Sequence, residues 1–449
     1  MQKILVFVLI ISASMIAQEV ENYVTVYNQN LGLIKQIRKL RVDLNKPEIR
    51  YTDVAAMLIP TSVHLRSETD PNTFSVLEQN FEYDLASADK ILQKYIDHDV
   101  NLILESGDLI NGTLLSTAGN QYVLKTSDGL KILPQNDKMQ ISVKDLPEGL
   151  ITRPTLIWKV TGVKDRDQNL EVSYLTNGIN WNSEYVGVLS EKDDEMLLGA
   201  WVNIDNRSGA TYKNAQLKLV AGDIHRAPQF QPAYIQRRTM ALEAKGADEG
   251  FAEKEFFEYH LYTLQRPTTL KNNQMKQISL FPNTSVKTEK KFVYDSQIDS
   301  KGVTVQIQFL NKKEAGLGLP LPEGIFRIYK KDEESLEFIG EDRIKHTPRN
   351  EEVSLTIGKA FDLVGNKIIT DRKKLSKTSE QQSIEIEIRN NKEKEDVNVL
   401  VVEHFYYRYW NIENSNFDFN KKSANKVEFI LPVKANSKTT LNYQVTYSW

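Results

Sequence analysis

The sequence predicts a mainly β, multidomain protein. Apolar residues recur at every second position rather than at helical spacing, and Asn, Gly and Pro punctuate the runs at short intervals. A chain of 449 residues that is 40% hydrophobic and free of cysteine must rely on buried cores instead of disulfides, and at roughly 150 residues per domain it has room for several. The expected architecture is a β-sandwich core with a small Sm/SH3-like barrel and a C-terminal immunoglobulin-like module.

The elements follow in order. Lys3, the apolar run Ile4 to Ile11 and the smaller residues Ser12 to Ala17 have the layout of a secretory signal peptide. Cleavage near Ala17 would start the mature chain at Gln18. Residues 18–81 form an N-terminal β region, with strand candidates at Val24/Val26, Leu40/Val42/Leu44, Ile49/Tyr51 and Val63/Leu65. Residues 82–150 read as the small barrel. A helix from Ser87 to Asp97, with Ser87 as its N-cap, precedes short strands parted by Ser106-Gly107-Asp108, Ala118-Gly119-Asn120 and Ser127-Asp128-Gly129. Residues 151–371 read as a central β-sandwich. Its alternation lapses at residues 227–257, a polar insertion expected to be partly helical or disordered, because strandless stretches of that length are unusual in a compact domain. Residues 372–449 read as a linker, Arg372 to Gln382, leading into the C-terminal module. There Ile384/Ile386/Ile388, Val427/Phe429/Leu431 and Leu441/Tyr443/Val445 each mark one strand face, and Trp449 is expected to plug the core.

A formal charge of −3 with dispersed basic residues offers no nucleic-acid footprint. No later apolar run reaches the roughly 20 residues needed to span a bilayer. There is no Gly-x-Ser-x-Gly elbow, phosphate loop or His-Glu-x-x-His, and the six histidines show no metal-ligand spacing, so no catalytic residue, metal or cofactor is expected. The candidate site residues are few. Glu341, Asp342, His346 and Glu351 would suit general-base or metal chemistry, but a strand end whose carboxylates cap backbone amides explains them as well and is the preferred reading. Arg327 would grip an anion or, by preference, pair with a carboxylate. In the run Phe405-Tyr406-Tyr407-Arg408-Tyr409-Trp410, the rings of Tyr407, Tyr409 and Trp410 would stack on sugars or pack within the protein. Read as a strand, it would send alternate residues to opposite faces.

Several motifs together resemble a known family. Trp181-Asn182-Ser183-Glu184-Tyr185, Asn206-Arg207-Ser208-Gly209, Leu219-Val220-Ala221-Gly222-Asp223, Leu321-Pro322-Glu323-Gly324 and Gly340 to Pro348 are similar to the domain of unknown function 4139, the mucoidy-inhibitor-A-like family. The resemblance spans roughly residues 155–449. It implies a β-rich exported envelope protein and no defined activity. Some relatives carry a coiled coil where this chain has its small barrel. The expected function is therefore a non-enzymatic scaffold, adaptor or assembly factor that contacts other envelope proteins. A carbohydrate-binding protein using the C-terminal aromatics is the alternative, and a hydrolase centred on Glu341 and His346 comes last.

Overall fold

A computed structural model describes residues 20–136, 138–222, 251–256, 259–333 and 335–449. The signal-peptide reading at residues 1–17 and most of the insertion at 227–257 lie outside these residues. The protein is mainly β, built from several sheets. Among the described residues, no helix is long and apolar enough to cross a membrane.

The chain forms two compact units, and it threads both repeatedly. One takes residues 1–180, 205–218 and 266–274, and the other takes 181–204, 219–265 and 275–449.

The first unit has a sandwich in which the N-terminal strands do not stand alone. Strand Leu31–Arg41 lies between Val20–Tyr27 and Asp167–Thr176, antiparallel to both. A second sheet sets Thr155–Thr161 between Glu48–Thr52 and Ser75–Glu82. Residue 150 is thus not a boundary, since strands from either side of it share both sheets. Alternation supplies the core: Val24, Val26, Ile34, Leu170, Val172, Ile49 and Trp158 are all buried.

Between these strands sits the small module. Helix Ala88–Lys94 is capped by Ser87, whose side chain accepts from the Lys90 amide. Five antiparallel strands follow, and the last, Gln140–Ser142, returns to pair beside the first, Asp99–Ile103. The sheet stays open. Three residues in that last strand complete one edge, and Gly129–Pro134 holds the other edge, so the expected barrel is corrected to an open, curled sheet over Leu92, Val100, Leu102, Leu114 and Leu124.

The second unit contains a five-stranded sheet in the order Gln274–Lys287, Glu195–Asn206, Ile179–Leu189, Gly324–Asp332, Ser335–Ile344. It also contains a nine-stranded sheet running from Tyr409–Glu413 through Ser437–Ser448, Ser379–Asn390 and Glu352–Ser376 to Phe419–Lys421. The larger sheet curls until its wings face each other, with Phe429 stacked on Tyr443 at 5.4 Å, and this gives the C-terminal sandwich. Two expectations change here. The sandwich recruits Glu289–Asp295 and Gly302–Leu310, well before residue 372. The supposed linker at residues 372–382 is the tip of a hairpin, in which Arg372 pairs with Gln382 and Lys374 with Glu380. The insertion also ends earlier than expected, because Phe251–Phe256 is a strand paired with Tyr259–Leu264.

Candidate functional site

The segment Leu319 to Gly324 is held from several sides within the second unit. Asn311 is fully buried and satisfies both ends of its amide. It donates to the carbonyls of Leu319 (2.7 Å) and Pro348 (2.9 Å) and accepts from the amides of Gly318 and Leu319. Leu321 and Thr347 exchange both backbone hydrogen bonds at 2.9 Å. Three hydroxyls then hold the carbonyls: Tyr262 donates to Pro320, Tyr185 to Pro322, and Ser183 to Glu323. Burial pushes the Tyr185 phenol well above its ordinary value. Gly324 is required beside Ser183, whose carbonyl oxygen would stand 2.2 Å from an added Cβ.

His346 belongs to this brace. Its Nδ1 accepts from the Glu323 amide at 3.1 Å, which commits that lone pair and leaves the ring proton on Nε2. With His260, Tyr262, Pro320, Leu321, Thr347 and Pro348 it lines a cavity of about 40 Å³. That is far below the roughly 300 Å³ at which small-molecule pockets begin.

The neighbouring carboxylates are engaged elsewhere. Arg327 donates to Glu184 at 3.1 Å and pairs with Glu341 at 3.3 Å, so it forms the structural ion pair preferred from the sequence. Asp342 accepts from the amides of Arg343 and Thr356, both at 2.7 Å. The second of these bonds hooks the edge strand of one sheet to strand Glu352–Ser376 of the other. Glu351 is exposed. Among the described residues, no three His, Cys, Asp or Glu side chains are placed to hold a metal ion.

A test of this structural role follows. His346→Ala should leave any activity found for the protein within a few-fold, whereas removing an essential general base costs about 10²–10⁴. Its melting temperature should fall as the Glu323 amide loses its acceptor. A thousandfold loss of activity with unchanged melting would restore the catalytic reading.

The aromatic run does not form one strand. Phe405 is buried and Tyr406 is 83% exposed, and the strand begins only at Tyr409. Tyr407 is half-exposed and Tyr409 exposed. Trp410 packs against the core and donates to the Ala424 carbonyl at 2.7 Å. Trp449 does not plug the core. It lies past the sheet's last residue, stacked on Tyr407 at 4.9 Å and 52% exposed.

Among the described residues, two buried charged groups escaped sequence reading. Glu403, 1% exposed, pairs with Lys367 at 2.6 Å and accepts from the Tyr443 hydroxyl. Its signal was available, because Val397, Val399, Val401 and Glu403 share one strand face. Arg38, also buried, donates to the Thr52 carbonyl and to Gln36 and lies 3.9 Å over the Tyr51 ring. Gln36 in turn donates to Asn22, which donates to the Lys213 carbonyl, so one polar chain ties four strands together.

No protein-family model matches the chain, and no curated protein matches it.

Proposed function

We propose that this chain is an exported, non-enzymatic β protein of the cell envelope that works by protein contact, as a scaffold, adaptor or assembly factor. One observation carries the reading: the outer face of the five-stranded sheet in the second unit. Val188, Tyr329 and Phe338 stand in one row across three strands, with Tyr329 and Phe338 in edge contact at 5.6 Å. Leu336 sits on the same face of the edge strand, and Leu197 and Trp201 occupy the outward positions of Glu195–Asn206. Leu197, Trp201, Leu336 and Phe338 are each 43–54% exposed. Arg327 is on the adjoining row. Half-exposed aromatics with a nearby arginine and a polar margin match the make-up of protein interfaces better than that of an enzyme cleft.

The envelope assignment rests on the signal-like start, and the resemblance to the domain of unknown function 4139 family rests on the motif residues. Those motifs stand at structural joints. Asn206 caps a turn by donating to the Ala210 and Leu270 carbonyls, and Leu321 to Gly324 form the braced loop.

The test uses a photoreactive residue in place of Phe338 in the native host, with the same residue at exposed Ile298 as control. The partner captured from Phe338 is then purified and titrated against the protein. Phe338→Asp should weaken binding at least tenfold with melting unchanged. Equal capture from both positions, or binding indifferent to Phe338→Asp, would reject the reading. An intact Met1 in the mature protein would reject export.

A further inference from the structure

We propose that one end of the nine-stranded sheet, at the turn between Glu352–Ser376 and Ser379–Asn390, docks on the surface of an anionic phospholipid bilayer. The strand register gathers four segments there. Ser376, Ser379, Ser448 and Tyr409 make the last row across the sheet. Lys377 and Thr378, Trp449, and the run Tyr406 to Arg408 continue the chain beyond that row. The Trp449 amide donates to the Thr378 carbonyl at 3.1 Å, and Tyr407 lies against Tyr447 at 5.0 Å and Trp449 at 4.9 Å. The segments are thus joined to one another as well as adjacent.

The chemistry of this end suits a membrane interface. Residues 371–378 are exposed without a break, as are residues 406–409. Arg372, Lys373, Lys374, Lys377 and Arg408 gather here, on a chain whose formal charge is −3. Glu380 is the one carboxylate within residues 372–380 and 406–409, and it is already held by Arg372 at 3.4 Å and Gln382 at 2.8 Å. Tyr406, Tyr409, Trp449 and Leu375 stand exposed among the cations. Each lysine or arginine near an anionic membrane strengthens binding about fivefold, and tryptophan and tyrosine settle at headgroup level. The side chains also leave both sides of the sheet. Arg372, Lys374, Tyr407 and Trp449 stand on the side of the core ring Tyr447, whereas Lys373 and Tyr409 stand on the other. A one-sided patch would suit a groove-bound polymer or a flat protein surface. Rings and long basic stems on both sides of a projecting end suit a fluid interface, where the stems bury and the charges stay in water.

The full chain should be mixed with vesicles of phosphatidylcholine, alone or with phosphatidylglycerol, and binding read by flotation. Binding is expected to the anionic vesicles only, with release at about 1 M salt, where the Debye length is about 3 Å. Changing Lys373, Lys374 and Lys377 together to Gln should weaken it about a hundredfold. The same change at Lys125, Lys218 and Lys287, exposed residues elsewhere, should leave it within a few-fold. Brominated lipid should quench tryptophan fluorescence in the wild type, and most of that quenching should vanish in Trp449→Phe while circular dichroism is retained. Failure to bind anionic vesicles overturns the proposal, as does an equal loss from the two triple variants. Quenching that survives Trp449→Phe overturns it too. Binding of dextran sulfate without binding of vesicles would make this end a polyanion site and would also overturn it.

Discussion

Replacing Glu403 with Ala should destabilise the second unit by about 3–5 kcal/mol, the usual cost of removing one partner from a buried ion pair. The carboxylate is 1% exposed within a sandwich of Val, Phe and Tyr. Without it, the Lys367 ammonium loses its counter-charge and the Tyr443 hydroxyl loses its acceptor. For a unit of this size the loss corresponds to a fall in melting temperature of roughly 10 °C. Glu403→Gln should cost less, because an amide oxygen still accepts from Tyr443 and Lys367, 23% exposed, can turn toward water. The double change Glu403→Met with Lys367→Met should recover most of the stability, since apolar replacement of a whole buried pair is often neutral or better. Urea unfolding of the four proteins checks the order. A single Ala variant within 1 kcal/mol of wild type, against the cost expected for a buried pair, would show that the carboxylate is hydrated.

Alkali should unfold the protein cooperatively once the pH passes the ordinary phenol range near 10. Burial pushes Tyr174 up to about 12, and Tyr294, also influenced by the Glu403 charge, up to about 12. Tyr51, Tyr185, Tyr212 and Tyr443 are raised as well, with burial the largest cause for each. A phenol whose folded-state value lies above its unfolded value contributes stability in full below the unfolded value. That contribution is lost as pH rises through the folded value. For Tyr174 alone, a rise of about two units amounts to roughly 3 kcal/mol, and the other buried rings act in the same direction. Tyrosinate absorbance should rise in two steps, the second coinciding with loss of the β-type circular dichroism signal. One smooth rise with the fold intact would show that the buried rings ionise in place. Tyr174→Phe and Tyr294→Phe should each move the second step to higher pH.

What the sequence made legible were faces with one wet side and one dry side. Ile384, Ile386 and Ile388 alternate with charged residues, and all three are buried as the period demands. The same rule fails where both sides are wet. Arg372 to Gln382 is polar except for the exposed Leu375 because the hairpin reaches beyond the core, so its strands carry no period and read as linker. Around Phe405 the period was assumed to continue, but the chain turns there and buries one ring without committing the next to a face. Arg327 and Asp342 behaved as the preferred reading of their types required, one in an ion pair and the other on backbone amides. His346 could not be placed from sequence, because its partner is an amide 23 residues away in the chain. Asn311 was equally hidden: one asparagine in a polar stretch looks like a turn, and only the fold brings its four partners together.

The repeated threading of the chain bears on how the protein is made. Residues 205–218 and 266–274 belong to the first unit, yet they follow stretches that belong to the second. During synthesis the first unit therefore cannot close until residue 274 has emerged, and by then parts of the second are already waiting for strands as late as Ser437–Ser448. No single cut of the coding sequence yields either unit whole, so neither can be shuffled between genes as a cassette.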